Sequence, residues 1–485
     1  MSTATGAVRT HTDSVDPKDM RVIWLLLIAA FVAILNETTM GIAIPHLNAD
    51  LGLAPELGQW LTSAFLLTMA VVIPTTGFLI ERLTTRQLYL AAMGAFSLGT
   101  LICLVAPGFL VLLIGRVMQA LGTGVMLPLL MTTVMNVVPA NSRGRIMGRL
   151  GLVISLAPAV GPVLSGAVLD SLSWRWLFAI VLPIALVVLV IGAKWMTNLG
   201  ETVVVPLDVL SVILSALAFG GIVFGLSSLG EGASRSAIAA VSLGVGGVFL
   251  AVFIWRQLRL QQDDRALLDL RVFRSRNYAI SVGILAIVSL GMFGTLTLLP
   301  QYLQNVVQLD TLMSGLILLP GSVLMGLLGP LIGRVYDSVG PKPLLIPGTI
   351  LVAGVLFFYS TVTEHTPWPV LMAVQSAMFI GMAASFTPIF SSAMGSLDKH
   401  LYPHGSAVLN TLQQVAGAAG VAVLVVTYST ILHRGEAHGL ATAAAGAPGA
   451  RMAFLIAAIV SLVAVALSFF VRRPADSDGA EHFGH

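Results

Sequence analysis

The sequence predicts an all-α integral membrane protein of about fourteen transmembrane helices, in two six-helix halves with two further helices between them. Three observations lead there. The 485 residues are 57% hydrophobic and only 10% charged, with a mean hydropathy of +0.94, whereas a soluble domain carries about 25% charged residues. Apolar stretches of membrane length follow one another with short connections, which leaves no room for a large soluble domain. A short pattern also occurs twice: GFLIERLTTR from Gly77 and GRVYDSVGPK from Gly333 hold glycine, acid and base at matching places 256 residues apart, as in transporters built from internal repeats.

The elements follow in order. A polar tail, 1–22, lacks the short apolar core and cleavage site of a signal peptide. The N-terminal half, 23–196, holds spans at 23–46, 58–80, 88–106, 109–137, 151–169 and 176–196. Trp24, Trp60, Trp174, Trp176 and Trp195 fall at or near their ends, where indoles sit at a membrane interface. Two inserted spans, 207–228 and 236–256, make up the segment 207–256; Asp208 lies near the start of the first, where it reads as a helix cap or, less simply, a proton-responsive group. The stretch 257–278 mixes Arg and Asp and reads as a solvated connector. The C-terminal half, 279–471, holds spans at 279–301, 312–333, 344–363, 367–395, 407–432 and 452–471, and residues 472–485 form a second tail.

Charge fixes the expected orientation. With both termini cytoplasmic, twenty of the 25 Lys and Arg residues fall on the cytoplasmic side; Arg175, Arg235, Arg434 and Arg451 fall outside, and Arg116 lies within a span. That bias follows the positive-inside rule. It also accounts for the high isoelectric point, so nucleic-acid binding is not expected. The single cysteine, Cys103, sits in an apolar run and excludes disulfides. No GxxxxGK[ST], HExxH or GxSxG string occurs, so neither ATP-driven transport by this chain nor a hydrolytic enzyme finds its motif. No metal site and no cofactor are expected.

Several motifs stand in order along the chain: LNETTMGIAIP in span one, GFLIERLTTR after span two, IGRVMQALGTG in span four, APAVGPVLSG in span five and SWRWLF before span six. Together these resemble the major facilitator superfamily, and within it the fourteen-helix drug:proton antiporters of the EmrB/QacA type, over nearly the whole chain. The resemblance implies the major facilitator fold, alternating access, protons as the coupling ion, amphiphilic substrates, a bacterial cytoplasmic membrane and function as a monomer. Two positions depart from the pattern. Many relatives carry the span-one acid at the place of Asn36, whereas here Glu37 follows it; and Thr84 stands where the loop motif usually has glycine, although the second copy keeps Gly340.

The chemistry centres on Glu37, the acid farthest from any predicted helix end. An ionised group at such depth costs several kcal/mol, roughly, and is seldom kept for packing alone. It lies about eight residues, roughly 12 Å, from the outer end of its span, and Arg116 lies at a similar depth, roughly 10 Å, in span four. If these helices are neighbours, as the resemblance implies, Arg116 can act on the carboxylate directly or through Gln119. A proton carrier and a static buried ion pair are the two readings of that arrangement. Gly77, Glu81, Arg82, Arg86, Asp337, Gly340 and Lys342 read as a cytoplasmic gate or as topology determinants. Gly161, Pro162 and Gly166 form the antiporter-like motif, serving close helix approach and a local bend. Asn36, Gln375, Asn410 and Gln413 could line the substrate cavity or simply bond between helices. The expected function is proton-coupled export of neutral or monocationic amphiphiles. The alternatives are a dedicated exporter of one metabolite or antibiotic, a facilitator without proton coupling and, more distantly, a receptor or an enzyme.

Overall fold

A computed structural model describes residues 16–53, 55–139, 142–198, 208–229, 233–263 and 265–474. Residues 1–15, 199–207 and 475–485 are among those that lie outside the described residues. The described residues form an all-helical structure, with fourteen helices among them long and apolar enough to cross a membrane. They are α1 (Pro17–Leu51), α2 (Pro55–Arg82), α3 (Thr85–Val105), α4 (Phe109–Val137), α5 (Arg143–Leu169), α6 (Arg175–Trp195), α7 (Val209–Ser227), α8 (Ala233–Leu260), α9 (Arg276–Asn305), α10 (Thr311–Val339), α11 (Lys342–Tyr359), α12 (Trp368–Gly395), α13 (Tyr402–Ala437) and α14 (Thr442–Ser468). Each predicted span falls on one of them. Several helices outrun their predicted apolar stretch by a turn or more, α1 and α5 among them. Asp16 caps α1, Asp310 caps α10 and Ser275 caps α9 through their side chains.

Helices α1–α6 form one half and α9–α14 the other, and α5 packs along α10 where the halves meet. Close approach there depends on glycine. A Cβ on Gly148 would run into the backbone carbonyl of Gly329, and one on Gly333 would run into the carbonyl of Gly144. The inserted pair is a hairpin laid over a second line of contact between the halves, where α2 meets α13, since α7 packs on both. Trp60 at the start of α2 stacks on Phe224 of α7 at 5.7 Å between centroids. Helix α8 is the outermost, with Val241, Val248 and Trp255 exposed, as a lipid-facing surface requires.

Asp208 occupies the N-cap position of α7, but its side chain caps no backbone N–H. It accepts instead from both Nε and Nη2 of Arg256 in α8, at 2.8 and 2.9 Å, and from the Ser211 hydroxyl at 2.5 Å. The capping expectation fails because the antiparallel return of α8 brings a guanidinium to the same oxygens. The hydrogen-bonded Arg256 holds the Asp208 carboxyl below the usual carboxylate range. The connector is tied to the same place: Gln257 donates to Ser211 and accepts from the backbone of Leu268.

Candidate functional site

Arg116 is fully buried in α4, one turn from Gln119, and the spacing brings the two side chains together: Nη1 donates to Oε1 of Gln119 at 2.9 Å. Its guanidinium lies over the Phe65 ring of α2, 4.2 Å from the centroid, and Nε points to the Leu61 carbonyl at 3.4 Å. Gln119 then donates through Nε2 to Thr100 of α3 at 2.9 Å and to Oδ1 of Asn36 in α1 at 3.4 Å. Three helices, α1, α3 and α4, thus meet at one amide, and α2 joins them through Arg116. Helix α3 approaches α4 closely enough only because Gly99 and Gly115 lack side chains: a Cβ on Gly99 would stand 2.6 Å from the Gln119 nitrogen, and one on Gly115 2.5 Å from Cys103 Sγ.

Glu37 is not part of this chain of bonds. The network running from Arg116 through Gln119 ends on Asn36, and one residue further along the helix is a turn of about 100°. Glu37 and Arg116 interact through their charges without forming a direct ion pair, and among the described residues no donor lies within hydrogen-bond distance of the Glu37 carboxylate. Unlike Asn36, Glu37 keeps part of its surface accessible. On the neighbouring turn Thr38 faces α5, with its hydroxyl 3.4 Å from the Ala157 carbonyl, and a Cβ on Gly161 would collide with that hydroxyl. Gly161 therefore sets the α1–α5 distance beside Glu37. At Gly166 a Cβ would meet nothing within 4 Å, so that glycine makes no close helix approach here; it sits on an open face of α5. The Pro162 side chain lies outside the described residues.

The expected gate residues gather at the end of the bundle that carries the start of α1 and most of the Lys and Arg, hereafter the basic end. Asp337, at the end of α10, accepts the backbone N–H of Gly144 at 2.8 Å and of Arg145 at 3.0 Å, both in the first turn of α5. Glu81 of α2 lies 3.1 Å from Nε2 of His404 in α13, and a Cβ on Gly77 would stand 3.0 Å from Nδ1 of the same histidine. Thr132 of α4 and Ser406 of α13 share a hydrogen bond at 2.8 Å, and Arg143 lies over the Tyr402 ring. Among the described residues, the polar contacts between the halves all lie toward this end. His404 is the residue that sequence reasoning missed.

Other expected gate groups serve neighbouring joints. Arg86 donates to the Ala193 carbonyl at 2.7 Å and so joins α3 to the end of α6, while Arg82 reaches over Phe78. Lys342 does not pair with Asp337; it lines a separate cavity at the start of α11. Gly340 ends α10 with φ of +83°, a conformation that favours glycine. In the first copy Thr84 needs no such turn, because it N-caps α3 in a reciprocal capping box with Gln87.

The expected cavity residues divide. Asn36 belongs to the Arg116 network. Asn410 donates back to the Ser406 carbonyl at 2.8 Å and approaches Met131 Sδ of α4 at 3.3 Å, so it stands at the seam. Gln375 instead accepts from the Tyr359 hydroxyl at 2.8 Å, bonding α12 to α11 within one half. Gln413 is buried with no hydrogen bond among the described residues. At the opposite end, Asp50 of α1 accepts from Trp174 Nε1 at 2.9 Å and pairs with Arg175 at 3.4 Å, while Arg175 also reaches the Ala106 carbonyl. The SWRWLF segment is thus a clasp joining α1, α3 and α6.

Comparisons with known proteins fit this geometry. The model of the Major Facilitator Superfamily matches residues 26–421. An uncharacterized MFS-type transporter of Bacillus subtilis, YcnB, is 39% identical over 93% of this chain and 95% of its own. The lincomycin resistance protein LmrB of Listeria monocytogenes is 38% identical, covering 93% of this chain and 96% of its own. Among solved structures, the human organic anion transporter MFSD10 superposes with a TM-score of 0.64 at 14% identity, over 93% of this chain and 100% of that one.

Proposed function

Since the chain belongs to the major facilitator superfamily, we propose that it is a proton-coupled exporter, an antiporter that moves neutral or monocationic amphiphilic drugs or toxic compounds out of the cell by alternating access. Membership makes it a multi-pass membrane transporter and not an enzyme. The observation that carries the finer reading is the isolation of Glu37. Arg116 is occupied by Gln119 and Phe65 and makes no direct ion pair with the carboxylate, which favours a proton carrier over a static ion pair. The relative named for lincomycin resistance favours a drug as cargo. It also favours, as a second reading, a pump of narrow specificity for one antibiotic.

On this reading the basic end faces the cytoplasm. The protein is then closed on its inner side, with Asp337 on the start of α5 and Glu81 on His404 acting as the inner gate. Protonation of Glu37 from outside, rocking of the halves and release of the proton inside would complete the cycle. The proton is the only coupling ion, no cofactor is needed, and a single chain suffices. One carboxylate implies one proton per substrate. Exchange for a monocation is electroneutral, driven by about 1.4 kcal/mol per pH unit; export of a neutral compound also gains about 2.3 kcal/mol per 100 mV.

The test is pH-gradient-driven accumulation of a fluorescent monocationic dye in reconstituted vesicles, wild type against Glu37→Gln at equal insertion. The proposal expects the variant to lose accumulation while retaining gradient-free exchange. Equal accumulation by both proteins would remove Glu37 from the coupling step. Absence of dye accumulation by wild type, followed by accumulation of lincomycin, would select the narrow pump.

A further inference from the structure

We propose that the basic end carries a binding site for the phosphate of an anionic phospholipid, in a cavity between the starts of α9 and α11 and the end of α14. The cavity has a volume of about 270 Å³ and is lined by Arg276, Asn277, Lys342, Arg472, Phe469 and Phe470, among others. Three of these side chains are cationic, and among the described residues no carboxylate lies within ion-pair distance of any of them. Uncompensated positive charges gathered at one cavity repel each other unless an anion joins them.

The walls are fixed. The Asn277 amide donates to the carbonyls of Ser392 and Arg472, at 3.2 and 3.1 Å, and its oxygen accepts from the Arg472 N–H at 2.8 Å. That one side chain ties the segment after α14 to α9 and α12, and so holds Arg472 at the cavity that Arg276 also lines. Two helices also start here. At the start of α9 the Ser275 side chain caps only the Tyr278 N–H; the start of α11 adds the positive end of its helix dipole, although its Leu344 and Leu345 N–H groups bond the Pro341 carbonyl.

A lipid, not a soluble anion, is indicated by what adjoins the cavity. Ile459, Leu462 and Val463 of α14, and Phe469 and Phe470 directly after it, are all about half exposed. The three on the helix share one face, and the two phenylalanines carry that apolar surface on to the cationic cavity they line. The stripe suits acyl chains, the phenyl rings suit the interface, and the cations suit a phosphate at headgroup depth. A zwitterionic headgroup would bring an ammonium into the same positive field.

The site is tested on the purified full-length protein in detergent, by the thermal unfolding midpoint with short-chain phosphatidylglycerol, short-chain phosphatidylcholine or inorganic phosphate added. Phosphatidylglycerol is expected to raise the midpoint of wild type and of a Lys194→Gln control by several degrees, and the other two to leave it in place. The triple variant Arg276→Gln, Lys342→Gln, Arg472→Gln is expected to lose the shift. An equal shift with phosphatidylcholine, or an undiminished shift in the triple variant, overturns the proposal. A shift with inorganic phosphate alone reassigns the cavity to a soluble anion and overturns the lipid. If the triple variant does not fold, the single variants and the three-ligand comparison on wild type decide the matter in the same terms.

Discussion

The Asp337 carboxylate, at the end of α10, caps the backbone N–H of Gly144 across the seam, 2.8 Å away in the first turn of α5. Ser142, at the N-cap position of α5, makes no side-chain cap of its own. One half of the protein therefore supplies the other half's missing cap, and the two cannot separate at this end without uncapping α5. Replacing a capping side chain by Ala costs about 0.5–2 kcal/mol. Asp337→Ala is accordingly expected to raise the fraction opened at the basic end by about fivefold, for a loss near 1 kcal/mol. The readout is maleimide labelling of Thr132→Cys, at the seam, in a Cys103→Ala background. An unchanged labelling rate would mean that this contact is no latch.

The glycines of α5 separate packing from motif. A methyl group on Gly148 would overlap the Gly329 carbonyl, whereas Gly166 has nothing within 4 Å. Gly148→Ala is expected to destabilise the protein by about 1–3 kcal/mol, the usual cost of overpacking. Gly166→Ala should leave the unfolding midpoint nearly unchanged. Comparable losses in the two variants would contradict the packing described for this seam.

Glu81 and His404 should be energetically coupled. They lie 3.1 Å apart at the same end, on α2 and α13, and His404 is buried. A double-mutant cycle of Glu81→Gln and His404→Leu, read by unfolding midpoints, is expected to give a coupling of about 0.5–3 kcal/mol. Strict additivity would show the contact to be incidental.

The pattern of what was legible follows from the range of each interaction. Glu37 stood out because an acid inside an apolar run is anomalous whatever surrounds it, and the Arg116–Gln119 pair was readable because three residues on a helix bring side chains to one face. All fourteen spans were readable from length and hydropathy. His404 was not, since its meaning depends on Glu81, 323 residues earlier in the chain, and a lone histidine near a span end carries no local signal. The Asp208 bond was hidden for a similar reason: a helix start suggests capping, but the return of α8 delivers Arg256 to the carboxylate. Gln375 and Asn410 look alike in sequence, both polar within apolar spans. Only packing sends one to Tyr359 and the other to the seam.

Asp208 should contribute to stability and not to the pH profile of transport. Its carboxyl is held below the usual carboxylate range chiefly by the hydrogen bond from Arg256. A depressed folded-state value means that the stabilisation is fully present above the unfolded value of about 3.9 and is lost only as pH falls through the folded one. Asp208→Asn should lower the unfolding midpoint at neutral pH, consistent with the loss of about 1.5–3 kcal/mol for charged hydrogen bonds. The dependence of transport on pH between about 5.5 and 8, above that range, should keep its shape. A displaced profile would make Asp208 a coupling group.

Asn36 offers a test of the carboxylate count. Its Oδ1 accepts from Gln119, whereas its Nδ2 is buried without a partner. Asn36→Asp keeps the acceptor, removes an unmatched donor and adds a negative charge near Arg116, so the fold has reason to tolerate it. The wild-type protein, with one deep acid, should export dications poorly, because a doubly charged substrate in a low-dielectric cavity calls for two carboxylates. The variant adds a second acid next to Glu37 in the same helical turn. It is expected to export a dicationic dye at least several-fold faster than wild type in reconstituted vesicles, while Asn36→Asp combined with Glu37→Gln falls back to the wild-type dication rate. If the single variant folds and its dication rate does not rise, charge count at this site is not what limits the substrate range, and the shape of the cavity must set it.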